Sequence, residues 1–170
     1  IPTQKTTKGF NEALAFQSML AYDRAIPSYK QAIQDDPEFV SSYNNLAQCL
    51  YKRDRKGDRD AARAYLNQAL KLAPGNVGTL HTKALLDAND SKYSEAEESY
   101  REILKIQPLN FRAVQNLSEL LFKIGKRKEA REVLVTVLKH DPPKEHKQVY
   151  QEALKNLDKK IEELSKKKTG

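Results

Sequence analysis

Residues 96–108 read Ala-Glu-Glu-Ser-Tyr-Arg-Glu-Ile-Leu-Lys-Ile-Gln-Pro. Ala96 and Tyr100 lie four apart, so on a helix they share one face, a small side chain next to a bulky one. Pro108 follows twelve residues after the alanine. It stops the helix, because proline lacks the N–H of the ladder and biases its predecessor out of the helical region. The same reading recurs outward: Ala25, Tyr29 and Pro37; Ala62, Leu66 and Pro74; Ala130, Leu134 and Pro142. The four prolines are 37, 34 and 34 residues apart. A second small residue stands earlier in each unit, at Ala13, Ala47, Ala84 and Ser118. Two helices cross closely only where the contact holds small side chains. Each unit therefore reads helix, turn, helix, stop.

This pattern resembles the tetratricopeptide (TPR) repeats, whose period of about 34 residues places these small, bulky and proline positions in this order. Tyr43, Leu46, Ala47 and Leu50 make the best first-helix match. The resemblance implies an all-α, right-handed superhelical array of antiparallel helix pairs, with units at 6–39, 40–76 (carrying three extra residues), 77–110 and 111–142. Residues 1–5 read as an extension, 143–168 as a capping helix and 169–170 as a tail, with residues 166–170 frayed. Gly9 and Glu12 in unit one, and Lys83 and Asp87 in unit three, replace apolar residues, so those first helices are expected to pack less well. Local signals fit the period. Ser94-Glu95-Ala96-Glu97 reads as a capping box, Gly125 as a helix stop, and Pro27 as tolerable only in a first turn. In the last segment Tyr150, Leu154, Leu157, Ile161 and Leu164 follow a 4, 3, 4, 3 spacing, an apolar stripe that can close the array. A short coiled coil beyond Leu157 is the competing reading.

The composition limits the chemistry. Charged residues are 31% and the hydrophobic set 39% of 170 residues, which suits a globular chain and excludes disorder. Six glycines form no phosphate cradle, and no apolar run approaches a membrane span. Cys49, the sole cysteine, rules out an internal disulfide and falls among inward residues, so it reads as a packing thiol in a reducing, cytoplasmic setting. His81, His140 and His146 lack a shared helical face for a metal, and no cofactor is implied. Gly75-Asn76-Val77-Gly78 has the outline of a GxxG loop, but it falls at a seam between units and reads as punctuation. The chain opens on Ile1, which reads as a processed, excised or engineered piece.

Stacked hairpins offer a binding surface and no reaction vessel, so a non-enzymatic, monomeric interaction module is expected. The TPR resemblance implies a concave groove lined by Ser41, Asn44, Asn45 and Gln48; by His81, Thr82 and Leu85; by Arg112, Gln115, Asn116 and Glu119; and by Lys144, Lys147, Gln148 and Gln151 of the cap. Amides both donate to and accept from the backbone of an extended peptide. Tyr43-Asn44-Asn45-Leu46-Ala47 is similar to the repeats of the O-linked N-acetylglucosamine transferases, where an asparagine ladder holds peptide backbone; here Thr82 breaks the ladder. The heat-shock co-chaperones clamp a carboxylate with Lys, Asn and Arg at places that here hold Phe10, Leu14, Gly78 and Thr82, and only Asn45 matches.

A net charge of +7 collects in two clusters at the turns within hairpins. One holds Lys52, Arg53, Arg55, Lys56 and Arg59, the other Lys123, Lys126, Arg127, Lys128 and Arg131. They would flank an acidic turn at Asp87 and Asp90. An acidic protein or nucleic acid docking on this edge is the alternative reading. Interleaved acids and the lack of stacking aromatics disfavour nucleic acid. A designed or purely structural repeat without ligand is the third.

Overall fold

A computed structural model describes residues 6–167; the predicted extension and the last three residues lie outside them. Helices follow in the order α1 (Lys8–Ser18), α2 (Tyr22–Asp35), α3 (Val40–Arg53), α4 (Asp58–Leu72), α5 (Val77–Asn89), α6 (Tyr93–Ile106), α7 (Phe111–Lys123), α8 (Arg127–Lys139) and α9 (Lys144–Lys166). No strand occurs among the described residues. The protein is an all-α array of TPR-type helix pairs. It divides within α5 into two compact units, one ending at Leu86 and the other starting at Asp87.

In the first unit α1 packs on α2, α2 on α3 and α3 on α4. Ala13, Ala25, Ala32, Ala47 and Ala62 are fully buried at the crossings, with Tyr29, Leu46 and Leu66 filling the space between. Each of these large side chains contributes about 1.5–3 kcal/mol when removed from water. In the second unit α6, α7, α8 and α9 pack in succession. Ala96, Tyr100, Ala130, Leu134 and Tyr150 repeat the scheme. α9 is 23 residues long. It buries Tyr150 and Leu157 on this surface.

Several local expectations are corrected. Gly9 is a point of close approach and not a packing defect: a Cβ there would lie 3.3 Å from the Ser28 carbonyl oxygen. With no side chain at residue 9, Phe10 supplies the apolar contact. It sits edge-on to Tyr29 at 5.7 Å and to Phe39 at 4.9 Å, so it belongs to the core and not to a groove. Asp87 is buried, so no exposed acidic turn forms around it. Pro27 lies in the second turn of α2. There it withholds one backbone hydrogen bond. The capping box does not form: α6 begins at Tyr93, placing Ser94 inside the first turn, and the cap Lys92 makes no side-chain bond.

Other signals hold. Gly125 has φ +85° just past α7. This is the left-handed conformation that glycine adopts most cheaply. Asn76 accepts from the Thr79 N–H at 2.9 Å, opening α5 as punctuation does.

Replacing Gly9 by valine forces α1 off α2 and lowers stability by about 1–3 kcal/mol. Thermal or denaturant unfolding checks this; an unchanged midpoint contradicts the close approach.

Candidate functional site

Within the first unit, α1, α2, α3 and α5 share a chain of polar side chains. Tyr29 is fully buried, and a buried hydroxyl needs partners. It donates to Oε1 of Gln17 on α1 and accepts from Nδ2 of Asn45 on α3, the latter at 3.3 Å. Gln17 Nε2 reaches Gln48 Oε1 at 3.5 Å. Gln48 Nε2 donates to the Thr82 hydroxyl at 3.2 Å, and Thr82 donates to the Gly78 carbonyl at 3.1 Å. Thr82 thus continues the row that it was expected to break. Burial pushes the Tyr29 hydroxyl up to about 12, so it stays protonated and can donate throughout the physiological range. Asn44 stands beside this row, half-buried, its Oδ1 shielded from water and without a partner. His81 is half-buried on α5.

Gln17 is the member that the TPR-derived positions omit. Two signals could have found it: it lies four residues past Ala13, on the same face of α1, and it faces the buried tyrosine twelve residues on.

In the second unit the Asn116 amide hydrogen-bonds the buried Tyr100 hydroxyl, which burial raises to about 12. Asn45 follows Tyr29 by sixteen residues, and Asn116 follows Tyr100 by sixteen. Where the second helix instead carries Leu66 or Leu134, the residue sixteen on is Thr82 or Tyr150. The asparagine therefore answers the hydroxyl of the tyrosine before it. Tyr150 follows a leucine, and its buried hydroxyl has no partner. Arg112 and Glu119 are exposed and Gln115 is half-buried along α7. Lys147 is turned to Asp141 in the α8–α9 connection, at 3.2 Å. It falls three residues before Tyr150, off the register that the sixteen-residue spacing sets for α9.

The basic residues are largely spent on the fold. Arg53 holds Asp58 through two bonds of 2.8 and 2.7 Å and reaches Asp23 at 3.2 Å. Arg55 meets Asp23 at 2.7 Å, and Arg59 meets Asp54 at 2.6 Å. This network ties the starts of α2 and α4 to the end of α3. The Arg53 hydrogen bonds hold the Asp58 carboxyl below the usual carboxylate range. In the second unit Lys126 pairs with Glu97 at 2.9 Å and Arg131 with Asp158 at 2.8 Å. Lys128 is exposed, Lys56 is exposed, and Arg127 is half-buried with its Nε lacking a partner.

Cys49 is fully buried, and burial raises its thiol to about 11, so it is no nucleophile near neutral pH. A larger opening of about 680 Å³ lies between α6, α7 and α8, floored by Leu104, Val114 and Val137, but carries no such row of amides. No helix among the described residues is long and apolar enough to cross a membrane.

Profiles of the tetratricopeptide repeat match residues 10–77 and 85–157. The chain belongs to the tetratricopeptide-repeat family. Mouse sperm-associated antigen 1 is 32% identical over 99 residues, 58% of this chain and 10% of its own length. Mouse protein O-mannosyl-transferase TMTC3 is 24% identical over 143 residues, 77% of this chain and 16% of its own. The chain thus spans a small part of the curated relatives it matches. Among solved structures, MamA superposes with TM-score 0.70 at 20% identity, covering 78% of this chain and 76% of its own. The first TPR of Spaghetti (RPAP3), bound to the HSP90 peptide SRMEEVD, superposes with TM-score 0.64 at 21% identity, covering 73% and 98%. At such identities these structures share the fold.

Two measurements follow from the hydrogen bonds. Tyr29→Phe strands Gln17 and Asn45 and costs about 1–2 kcal/mol, whereas Tyr150→Phe removes an unpartnered hydroxyl and is neutral or stabilising by about 1 kcal/mol. Equal losses in denaturant unfolding contradict this assignment. Asp58 has a depressed folded pKa, so its contribution is present above the ordinary carboxyl value and is lost as pH falls through the folded one. Asp58→Asn should lower stability by about 2 kcal/mol at pH 7 and flatten the fall below about pH 4. An unaltered acid limb in pH-dependent melts contradicts it.

Proposed function

We propose that this chain is a non-enzymatic protein-interaction module that holds an extended segment of a partner on the face formed by its first helices. The observation that carries this reading is the row Gln17, Asn45, Gln48 and Thr82. Each amide there spends only part of its capacity on the fold. Asn45 uses one N–H on Tyr29 and keeps a second N–H and its carbonyl; Gln48 keeps one N–H. Amides already fixed by internal bonds lose little entropy when a ligand arrives, which favours recognition of peptide backbone.

The TPR relative with an HSP90 peptide supports peptide binding by this fold in general. The cations of a carboxylate clamp are missing here, since Phe10 is in the core and Leu14, Gly78 and Thr82 are uncharged. The preferred ligand is therefore an internal extended segment and not a chain terminus. Ion pairing of Arg53, Arg55, Arg59, Lys126 and Arg131 leaves less charge for docking on the basic edge.

The test is a selection of displayed random dodecapeptides on the full chain, with the winners measured by anisotropy. Gln48→Ala should weaken binding about fivefold or more, one lost hydrogen bond. Lys56→Glu and Lys128→Glu should change it less than twofold, with little loss on added salt. Winners that depend on Lys56 and Lys128 and weaken steeply with salt overturn the reading in favour of electrostatic docking.

A further inference from the structure

The first and last hairpins can be laid on one register, because Pro37 and Pro142 are 105 residues apart. That shift carries Ala13 to Ser118, Gln17 to Phe122, Tyr29 to Leu134 and Gln48 to Ala153. In the first unit the space between these positions is filled by Tyr29, Gln17 and Gln48, bonded to one another. In the second unit all three polar side chains are replaced. A leucine stands for the tyrosine, a phenylalanine for one glutamine and an alanine for the other.

The outcome is a cleft of about 180 Å³ between α7, α8 and α9. Its floor and walls are Phe122, Leu134, Ala153 and Leu157, and its rim carries Glu119 on α7 and Lys160 on α9. Leu134 and Leu157 are buried, while Ala153 leaves open what a glutamine covers at the equivalent place. Closed cavities of about 150 Å³ with such a lining admit a benzene-sized guest and stay dry otherwise. The space suits one branched aliphatic side chain. The ammonium of Lys160 lies 5.6 Å over the Phe122 ring, at the lip of the cleft, and makes no ion pair among the described residues. Glu119 stands on the α7 side of the rim and Lys160 on the α9 side, so a carboxylate next to the aliphatic group is favoured on the α9 side.

We propose that this cleft is a specificity pocket that takes a single aliphatic side chain of the partner segment, followed by an acidic residue that meets Lys160. The inference rests on the peptide-binding reading above and adds a sequence preference to it. The pocket lies wholly within the second unit and reads one residue of a peptide bound there.

Backbone-amide NMR titration of the full chain tests it, with the probe acetyl-Gln-Leu-Asp-Gln-amide and its Ala-Asp and Leu-Lys counterparts. The leucine–aspartate probe should saturate shifts at Glu119, Ala153 and Lys160, and the alanine probe should bind about fiftyfold more weakly, the loss of three buried side-chain carbons. Ala153→Phe fills the cleft and should abolish those shifts. Lys160→Glu changes an exposed side chain at the lip, leaves the buried Leu134 and Leu157 in place and should reverse the preference between Leu-Asp and Leu-Lys, so the test survives if Ala153→Phe fails to fold. Equal binding of the leucine and alanine probes, or an unchanged preference in Lys160→Glu, overturns the pocket. Dodecapeptides that Gln48→Ala weakens while the leucine probe fails would leave the face reading standing without the pocket. A leucine probe that binds while no dodecapeptide depends on Gln48 would retain the pocket and remove that reading.

Discussion

Tyr29 is wholly enclosed between the helices of the first unit, and an enclosed phenol costs free energy unless its proton finds an acceptor, as the unpartnered Tyr150 hydroxyl in the second unit does not. That requirement propagates. It selects Gln17 on the preceding first helix and Asn45 on the following one, and through Gln17 it orients Gln48, which in turn meets Thr82. The same requirement at Tyr100 selects Asn116. The bulky position of each second helix therefore does two things: it fills the seam with the next helix, and its polarity decides what the exposed side of that seam looks like. A tyrosine produces ordered amides. Leu134, with Phe122 and Ala153 where the first unit has glutamines, leaves an apolar cleft.

The architecture was legible because it depends on side-chain size at a fixed period. Alanines at the crossings, bulky residues four positions on and prolines at the stops are each dictated by packing volume or backbone chemistry, and 13, 25, 47, 62, 96 and 130 are all fully buried alanines. The face was less legible. Asn45 and Asn116 were readable as facing residues, but their ties to Tyr29 and Tyr100 depend on contacts between helices that spacing within one helix does not reveal. Phe10 was misplaced for a related reason. The absent side chain at Gly9 lets α1 approach α2, which turns the neighbouring ring inward. The capping box failed by two residues: with Lys92 and not Ser94 at the cap of α6, Glu97 pairs with Lys126 and Arg101.

Charge behaves differently from packing in this chain. The clusters read from the sequence do lie at hairpin turns, yet Asp54 and Asp58 in the same turn, and Asp23, Glu97 and Asp158 on neighbouring helices, meet them. Such ion pairs contribute little each where exposed. Their collective effect is to join one hairpin to the next at the turn edge while the apolar seam holds the middle. In the first unit the row on the first helices is left with the neutral groups of Gln17, Asn45, Gln48 and Thr82.

The account rests on the tyrosine–asparagine contact being a true coupling and not two independent burials. A double-mutant cycle of Tyr29→Phe and Asn45→Leu, read by denaturant unfolding, measures it directly. The account predicts a non-additive pair with a coupling of about 1 kcal/mol, since either change alone already breaks the bond. Strictly additive losses would contradict it, and the explanation offered for the polar row would fail with them.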